Sequence, residues 1–581
     1  MLESLLNSIT TWVIKSGTYT YFYYEIFLFI LLCIGIALSI KAIKKETNRM
    51  ARRYWLALLL IILSFLIIEL LFVKPTFQVY NDEYIQMDIA KTIITNHQLG
   101  VCSFATPKGC VPGTLGLFQQ SSGWPMLLAI AFYIFGINFA TAFNLVLLLS
   151  CFSIILIFLI TYSIIDDPKT ALLSAALLAA TPWFLTYSRS TVLDISAMPI
   201  VLFAIYLLIV YIKHRKLQYG IAAVLVSAFA TTMRIELIIL LPIMLALLVL
   251  PHTLEFKKRR KILALLALGI MLVVIAFPQL IYVYTSNKTN SFGAPSNQKF
   301  SLTYLQGNLT PDTLFWFGAY TNINAGKYVY HDEYPMAYTL FAMAGIAYLV
   351  SKKKYGYAFS FSTIFLIIFL FFTGFYAGGV FAQAGANIRY YMDDFAIMAM
   401  LAAIGGKAIY SWTLSILHTG RAKRYKNMLG ALILIALFVM PIIYFINIVS
   451  QNPANIFPFA QDREELEFLL TYYNQVPSNC IVLSFKTSLW YVLNKSTMYD
   501  GWFLIDSYRS RAINLSNGCI YLDYSTACNI NNSETNDACI ETEKEFALRP
   551  VITEEQNRMG WNITIGLYKI LGYKNGTPLS Q

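Results

Sequence analysis

Apolar runs long enough to cross a bilayer recur along this chain, more of them than any soluble fold can enclose. About 17–25 residues are needed for a helix to traverse a hydrocarbon layer roughly 30 Å thick. Roughly twelve such runs are predicted from the apolar pattern, with boundaries good to several residues. They fall near 24–43, 54–73, 140–165, 170–187, 192–212, 217–233, 235–250, 262–284, 336–351, 357–377, 393–413 and 428–449. Inside a bilayer each must be helical, because only intra-helical hydrogen bonds satisfy a backbone that water cannot reach. The composition agrees: 57% of the residues are hydrophobic and 13% charged, outside the range of ordinary globular domains. The chain reads as a polytopic α-helical membrane protein.

Basic residues orient the runs. KAIKKETNRMARR (41–53), KHRK (213–216), EFKKRRK (255–261), KKK (352–354) and RAKRYK (421–426) fall on alternate connections, which places those loops in the cytoplasm. The net charge of +12 is thus a topology signal, and nucleic acid is not an expected partner. The same parity puts 74–139, 285–335 and everything after 449 on the extracytoplasmic side of a multi-pass cell-membrane protein. Glycosylation sequons at Asn287, Asn308, Asn494, Asn514, Asn531 and Asn562 all fall on that side. Cysteines follow the same division. Cys102 and Cys110 share the first outer loop, Cys480, Cys519, Cys528 and Cys539 lie in the tail, and Cys33 and Cys151 lie within helices. Even numbers outside, with no CxxC spacing, favour disulfides over zinc, and the four tail cysteines allow three pairings. The first helix lacks a cleavage site and is followed by its positive flank, the pattern of a retained anchor.

Two regions sit outside this count. GWPMLLAIAFYIFGI (123–137) is too short to span and is expected at the outer interface. YIQMDIAKTIITN repeats Ile85, Ile89 and Ile93 every fourth residue while Asp88 and Lys91 point elsewhere, the pattern of an amphipathic surface helix. The expected division is therefore a membrane domain over 1–449 and an extracytoplasmic α/β domain over 450–581, on the order of 130 residues and large enough for its own core. CIVLSF (480–485), CIYLDY (519–524) and ITIGLYKIL (563–571) read as strands, and DREELEFLLTYY (462–473) as a helix.

Charged residues gather at the outer ends of the predicted spans. Asp82 and Glu83 head the first outer loop, Arg189 and Asp194 follow in SRSTVLD, and Arg234 and Glu236 follow in MRIE. His331, Asp332 and Glu333, then Arg389, Asp393 and Asp394, complete the set. Charges beside hydrocarbon are paired or functional as a rule. As a bland alternative, Asn81 or Asp82 caps a helix starting near 83, and Arg234 with Glu236 forms a structural ion pair. Together, the arginines suit a phosphate at headgroup level whose apolar tail lies between helices, since a guanidinium grips phosphate bidentately. A polyprenyl-phosphate sugar is such a substrate, with a carboxylate as general base on the acceptor hydroxyl. Asp82, Glu83 and His331 are also candidate ligands for a divalent metal.

Read in order, NDEY (81–84), GWPMLLAIAFYIFGINFATAFN (123–144), YSRSTVLD (187–194), TTMRIELIILLP (231–242), YVYHDEYP (328–335) and IRYYMDD (388–394) resemble the landmarks of GT-C membrane glycosyltransferases. The resemblance is to the group containing protein O-mannosyltransferases and aminoarabinose transferases, and it runs over most of the membrane part. It implies a GT-C-like fold and transfer of a sugar, with inversion, from a polyprenyl-phosphate donor to a protein, lipid or glycan acceptor. It also implies Asp82, then Glu83, as base, and Arg234 as a lipid-phosphate contact; Arg189 and Arg389 are further candidates for that contact, and Asp194, Glu236 and His331 are candidates for supporting roles. The sequence departs from the group in one span ahead of the usual first helix, and it lacks the WWDYG signature of oligosaccharyltransferases. A transporter or flippase of lipid-linked sugars is the alternative from another class.

Overall fold

The computed structural model describes residues 2–77, 80–116, 121–234, 236–253, 259–289, 301–318, 320–322, 327–329, 334–374, 386–416, most of 428–443, 460–529, 534–558 and 561–579. Among these, six helices are long and apolar enough to cross a membrane: Gly17–Thr47, Arg52–Phe72, Phe139–Ile165, Leu193–His214, Tyr355–Thr373 and Ile388–Thr413. Six further apolar helices are shorter, at 10–17 residues. Of the expected 428–449 run, the part up to 443 is mostly described and includes the helical turn Ile435–Val439. The expected run 170–187 is broken into Pro168–Ala179 and Pro182–Tyr187. Pro182 has no amide hydrogen and so starts a new helix instead of continuing the old one.

Burial follows bilayer logic. Leu56, Leu60, Ile67 and Leu71 of Arg52–Phe72, and Leu263, Leu266, Ile270 and Val274 of Arg259–Thr289, are exposed, whereas Glu69, Ser150 and Thr161 are buried. An exposed apolar belt of this extent needs lipid, not water, as its neighbour. Leu193–His214 is enclosed by the others, buried from Asp194 to Ile212, so its N-terminal end delivers Asp194 to the middle of the bundle. Met336–Ser351 and Met392–Ile416 cross closely at Gly345 and Gly405. A Cβ on Gly405 would meet the Phe341 carbonyl oxygen at 1.7 Å, and one on Gly345 the Leu401 carbonyl oxygen at 2.1 Å. At the opposite end of the bundle the basic loops find acids: Lys213 and His214 pair with Glu46, and Lys407 pairs with Asp167.

Above the helices stands a seven-stranded mixed sheet. Its order is Phe546–Arg558, Trp561–Tyr573, Ile520–Tyr524, Ile481–Leu483, Ser496–Met498, Phe104–Thr106 and Gly109–Cys110. Ile481–Leu483 runs parallel to both neighbours, and the other pairings are antiparallel. CIVLSF, CIYLDY and ITIGLYKIL each supply a strand, and DREELEFLLTYY lies in the helix Ala460–Tyr472. The last two strands of the sheet come from the loop between the helices Arg52–Phe72 and Phe139–Ile165, so loop and tail share one core of Phe104, Val111, Ile481, Leu483, Met498, Ile520 and Phe546. Disulfides join Cys102 to Cys110, Cys480 to Cys519 and Cys528 to Cys539. The second ties together the starts of two adjacent parallel strands and selects one of the three tail pairings.

Candidate active site

The helix carrying the acidic pair runs from Tyr80 to Asn96, starting ahead of the expected position 83. Asp82 and Glu83 therefore occupy its first turn, near the positive end of its dipole, and neither is the cap. Successive side chains on a helix diverge by about 100°, and the two carboxylates enter different surroundings. Glu83 is buried, and its Oε2 accepts hydrogen bonds from Ser190 Oγ at 2.9 Å and from Thr191 N and Oγ1, both at 2.7 Å. Trp124 Nε1 donates to Thr191 O at 3.0 Å. Three of the sequence landmarks, NDEY, GWP and SRSTVLD, thus meet at one turn, and Glu83 braces it. Asp82 keeps 35% of its side chain exposed and accepts from Arg389 Nη2 at 3.2 Å.

From Asp82 a line of alternating charges leads into the bundle. Arg389 Nε lies 3.6 Å from Asp194 Oδ2, Arg234 Nη2 lies 3.2 Å from Asp194 Oδ1, and Arg234 Nη1 lies 3.8 Å from Asp393 Oδ2. Glu236 Oε2 adds a further contact to Arg234 Nε at 3.7 Å. These are charge contacts more than hydrogen bonds. Arg234 Nε and Nη2, and Arg389 Nε, make no hydrogen bond and are held only by these looser charge contacts to Glu236 and Asp194. Aromatic faces hold both guanidinium groups: Arg234 sits 5.1 Å from the Phe372 ring centre and Arg389 sits 5.0 Å from that of Tyr390. Those two rings are themselves stacked, 5.1 Å apart with planes 5° from parallel.

Of the predicted residues, Asp82, Arg389, Asp194, Arg234 and Glu236 are brought into one constellation. Glu83 stands beside it as a brace. Arg189 is buried, with an electrostatic partner in Glu69 of the Arg52–Phe72 helix, and among the described residues it makes no ion pair with the Asp82–Asp194 line, its Nε and Nη1 also lacking a hydrogen-bond partner. His331, with Asp332 and Glu333, lies outside the described residues. Asn494 and Asn514 are exposed and Asn308 is half-buried, whereas Asn531 and the side chains of Asn287 and Asn562 lie outside the described residues. Sequence reasoning missed Phe372, which looks like any apolar helix residue. It also missed Asp312, whose Oδ2 accepts from Tyr391 Oη at 3.0 Å and so fastens Leu302–Trp316 to the turn bearing Arg389. Their separation of 79 positions leaves no local pattern to read.

The expected surface helix is a correction in one respect, because its polar face is buried too. Asp88 Oδ2 accepts from Ser488 Oγ at 2.6 Å, and both its oxygens lie near Cys102 N. Lys91 Nζ donates to Tyr491 O and Asn494 Oδ1, both at 2.6 Å. The tail helix Thr487–Val492 covers that face, so Asp88 and Lys91 dock the tail onto the helix that carries Asp82. Burial pushes the Asp88 carboxyl up to about 7 and pulls the Lys91 ammonium down to about 8.

Glu83 Oε2 is committed to Ser190 and Thr191. Among the described residues no group of three or more His, Cys, Asp or Glu side chains is arranged to hold a metal.

Residues 122–282, which include Arg189, Asp194 and Arg234, match the family model described as dolichyl-phosphate-mannose-protein mannosyltransferase. ArnT from Cupriavidus metallidurans in the apo state is similar in structure, with 11% identity and a TM-score of 0.56 over 90% of this chain and 98% of that one. The same protein bound to undecaprenyl phosphate matches with 13% identity and a TM-score of 0.54, over 89% and 98%. The Archaeoglobus fulgidus oligosaccharyltransferase in the apo form matches with 14% identity and a TM-score of 0.52, over 90% and 75%. No curated protein matches the sequence. Over 90% of its length this chain shares the fold of ArnT and of the Archaeoglobus fulgidus oligosaccharyltransferase.

Proposed function

We propose that the protein transfers a sugar from a polyprenyl-phosphate donor to a hydroxyl of a protein, lipid or glycan acceptor, on the extracytoplasmic face of the cell membrane and with inversion. The observation that carries this reading is the pair of buried guanidinium groups, Arg234 and Arg389, which share Asp194 on a line of charges ending at the partly exposed Asp82. Arg389 and Arg234 hold the donor phosphate, and the lipid tail lies among the exposed apolar helices. Asp82 takes the proton of the acceptor hydroxyl as its oxygen attacks the anomeric carbon. The bond from that carbon to the phosphate oxygen breaks, and the departing polyprenyl phosphate keeps its charge neutralised by the arginines.

In the resting protein Arg389 also holds Asp82. A donor phosphate competes for that guanidinium, so donor binding frees the carboxylate to act as base. Glu83, already accepting three hydrogen bonds, acts as a structural brace. Nothing in the geometry favours the transporter alternative, and the fold comparisons lie with glycosyltransferases.

The test is release of free polyprenyl phosphate in liposomes from a panel of polyprenyl-phosphate sugars with candidate acceptors. Asp82→Asn should lower release by about 10²–10⁴-fold while leaving donor binding intact. Equal release by both proteins would remove Asp82 from the mechanism.

A further inference from the structure

Glu25 lies in the additional N-terminal helix, Leu2–Thr47, and is fully buried. Its surroundings are specific. Ser122 Oγ donates to Glu25 Oε1, and Thr232 Oγ1 lies 3.2 Å from Oε2 while also reaching the Phe229 carbonyl at 2.9 Å. Ser122 heads the helix Gly123–Phe135, and Thr232 lies in the last turn of Leu217–Met233, two positions before Arg234. Gly123 permits the approach, because a Cβ there would meet Thr232 Oγ1 at 2.4 Å. The N-terminal helix is anchored along the same wall by Phe29 against Phe229 and by Tyr24 Oη donating to Ile275 O at 2.7 Å. A carboxyl group at this depth is unfavourable unless it fastens something.

We infer that Glu25 is a positioning residue for the phosphate-binding arginine: through Thr232 it fixes the end of the helix from which Arg234 departs. Through Ser122 it fixes the neighbouring helix whose Trp124 holds the Thr191 turn. The extra N-terminal helix is in this way part of the scaffold of the site as well as an anchor. The inference rests on the reading of Arg234 as a phosphate contact.

The experiment measures binding of undecaprenyl phosphate to the full-length protein in detergent, for wild type, Arg234→Ala, Glu25→Ala, Glu25→Gln and the double variant Glu25→Ala/Arg234→Ala. Glu25→Ala is expected to weaken binding about tenfold, the scale of losing a buried hydrogen bond to a carboxyl group. Glu25→Gln, which still accepts from Ser122, is expected to restore most of it. In the Arg234→Ala background, Glu25→Ala should cause no further loss, since residues acting through one contact are not additive. Independent losses that multiply in the double variant would overturn the inference, as would wild-type binding by Glu25→Ala. A Glu25→Ala protein that fails to fold leaves Thr232→Val as the second probe, and undiminished binding there overturns the inference too. Equal binding by wild type and Arg234→Ala would instead overturn the phosphate-contact reading on which it rests.

Discussion

Lys91→Met removes the buried ammonium that docks the tail onto the helix of Asp82. Nζ donates to Tyr491 O and Asn494 Oδ1 and lies 4.2 Å from the Tyr491 ring centre. Hydrogen bonds from a charged donor contribute about 1.5–3 kcal/mol each, and a desolvated cation–π contact about 2 kcal/mol. Against this stands burial, which outweighs the attraction of Asp88 and pulls Lys91 from 10.5 to about 8, a net cost to the charged form of about 3 kcal/mol. The balance lost in the variant is about 3 kcal/mol, or roughly a hundredfold more frequent opening of the docked tail helix.

Hydrogen exchange of the Thr487–Val492 amides in detergent reads that opening directly. The exchange should also depend on pH. With the tail undocked Lys91 keeps its ordinary value, so between about 8 and about 10.5 the undocked state binds more protons. Docking therefore tightens as pH rises through that window, and the variant loses the dependence. Unchanged exchange in Thr487–Val492, or an equal rise throughout the enclosed Leu193–His214 helix, would refute the assignment of Lys91 as a local clamp.

Three further outcomes are expected. Asp88 is raised to about 7 from 3.8, so the folded state binds more protons between those values and stability falls as pH rises from about 4 to about 7; Asp88→Asn should flatten that part of a melting-temperature profile. Glu83→Gln should lower stability by about 2 kcal/mol through its weakened bonds to Ser190 and Thr191, and an unchanged melting temperature would show that the brace is not needed. Gly405→Ala forces a methyl group onto the Phe341 carbonyl and should destabilise the bundle by about 3 kcal/mol, measured by thermal unfolding, with no shift if the two helices can separate freely.

How far the sequence reached is clearest at the acidic pair. NDEY identified the pair and its neighbourhood, but adjacent carboxylates look alike in a string of letters. Their difference arises from the helical turn of about 100° per residue, which hands Glu83 to the Ser190–Thr191 turn and Asp82 to Arg389. Arg189, Arg234 and Arg389 were likewise equal candidates by residue type. Only packing separates Arg189, beside Glu69, from the two arginines that share Asp194.

The sequence by itself determined the helical membrane class, the strands of the tail and the candidate charges, because hydropathy and periodicity are local properties. It also set Cys102 and Cys110 in one loop, the other four candidate disulfide cysteines in the tail, and Cys33 and Cys151 apart within helices. Tertiary structure alone decided which of them pair, that Phe104–Cys110 completes the tail sheet, that Asp88 and Lys91 are buried, and that Glu25 reaches Thr232 across 207 positions. Those outcomes depend on contacts between segments far apart in the chain, and such contacts leave no periodic trace in any one segment.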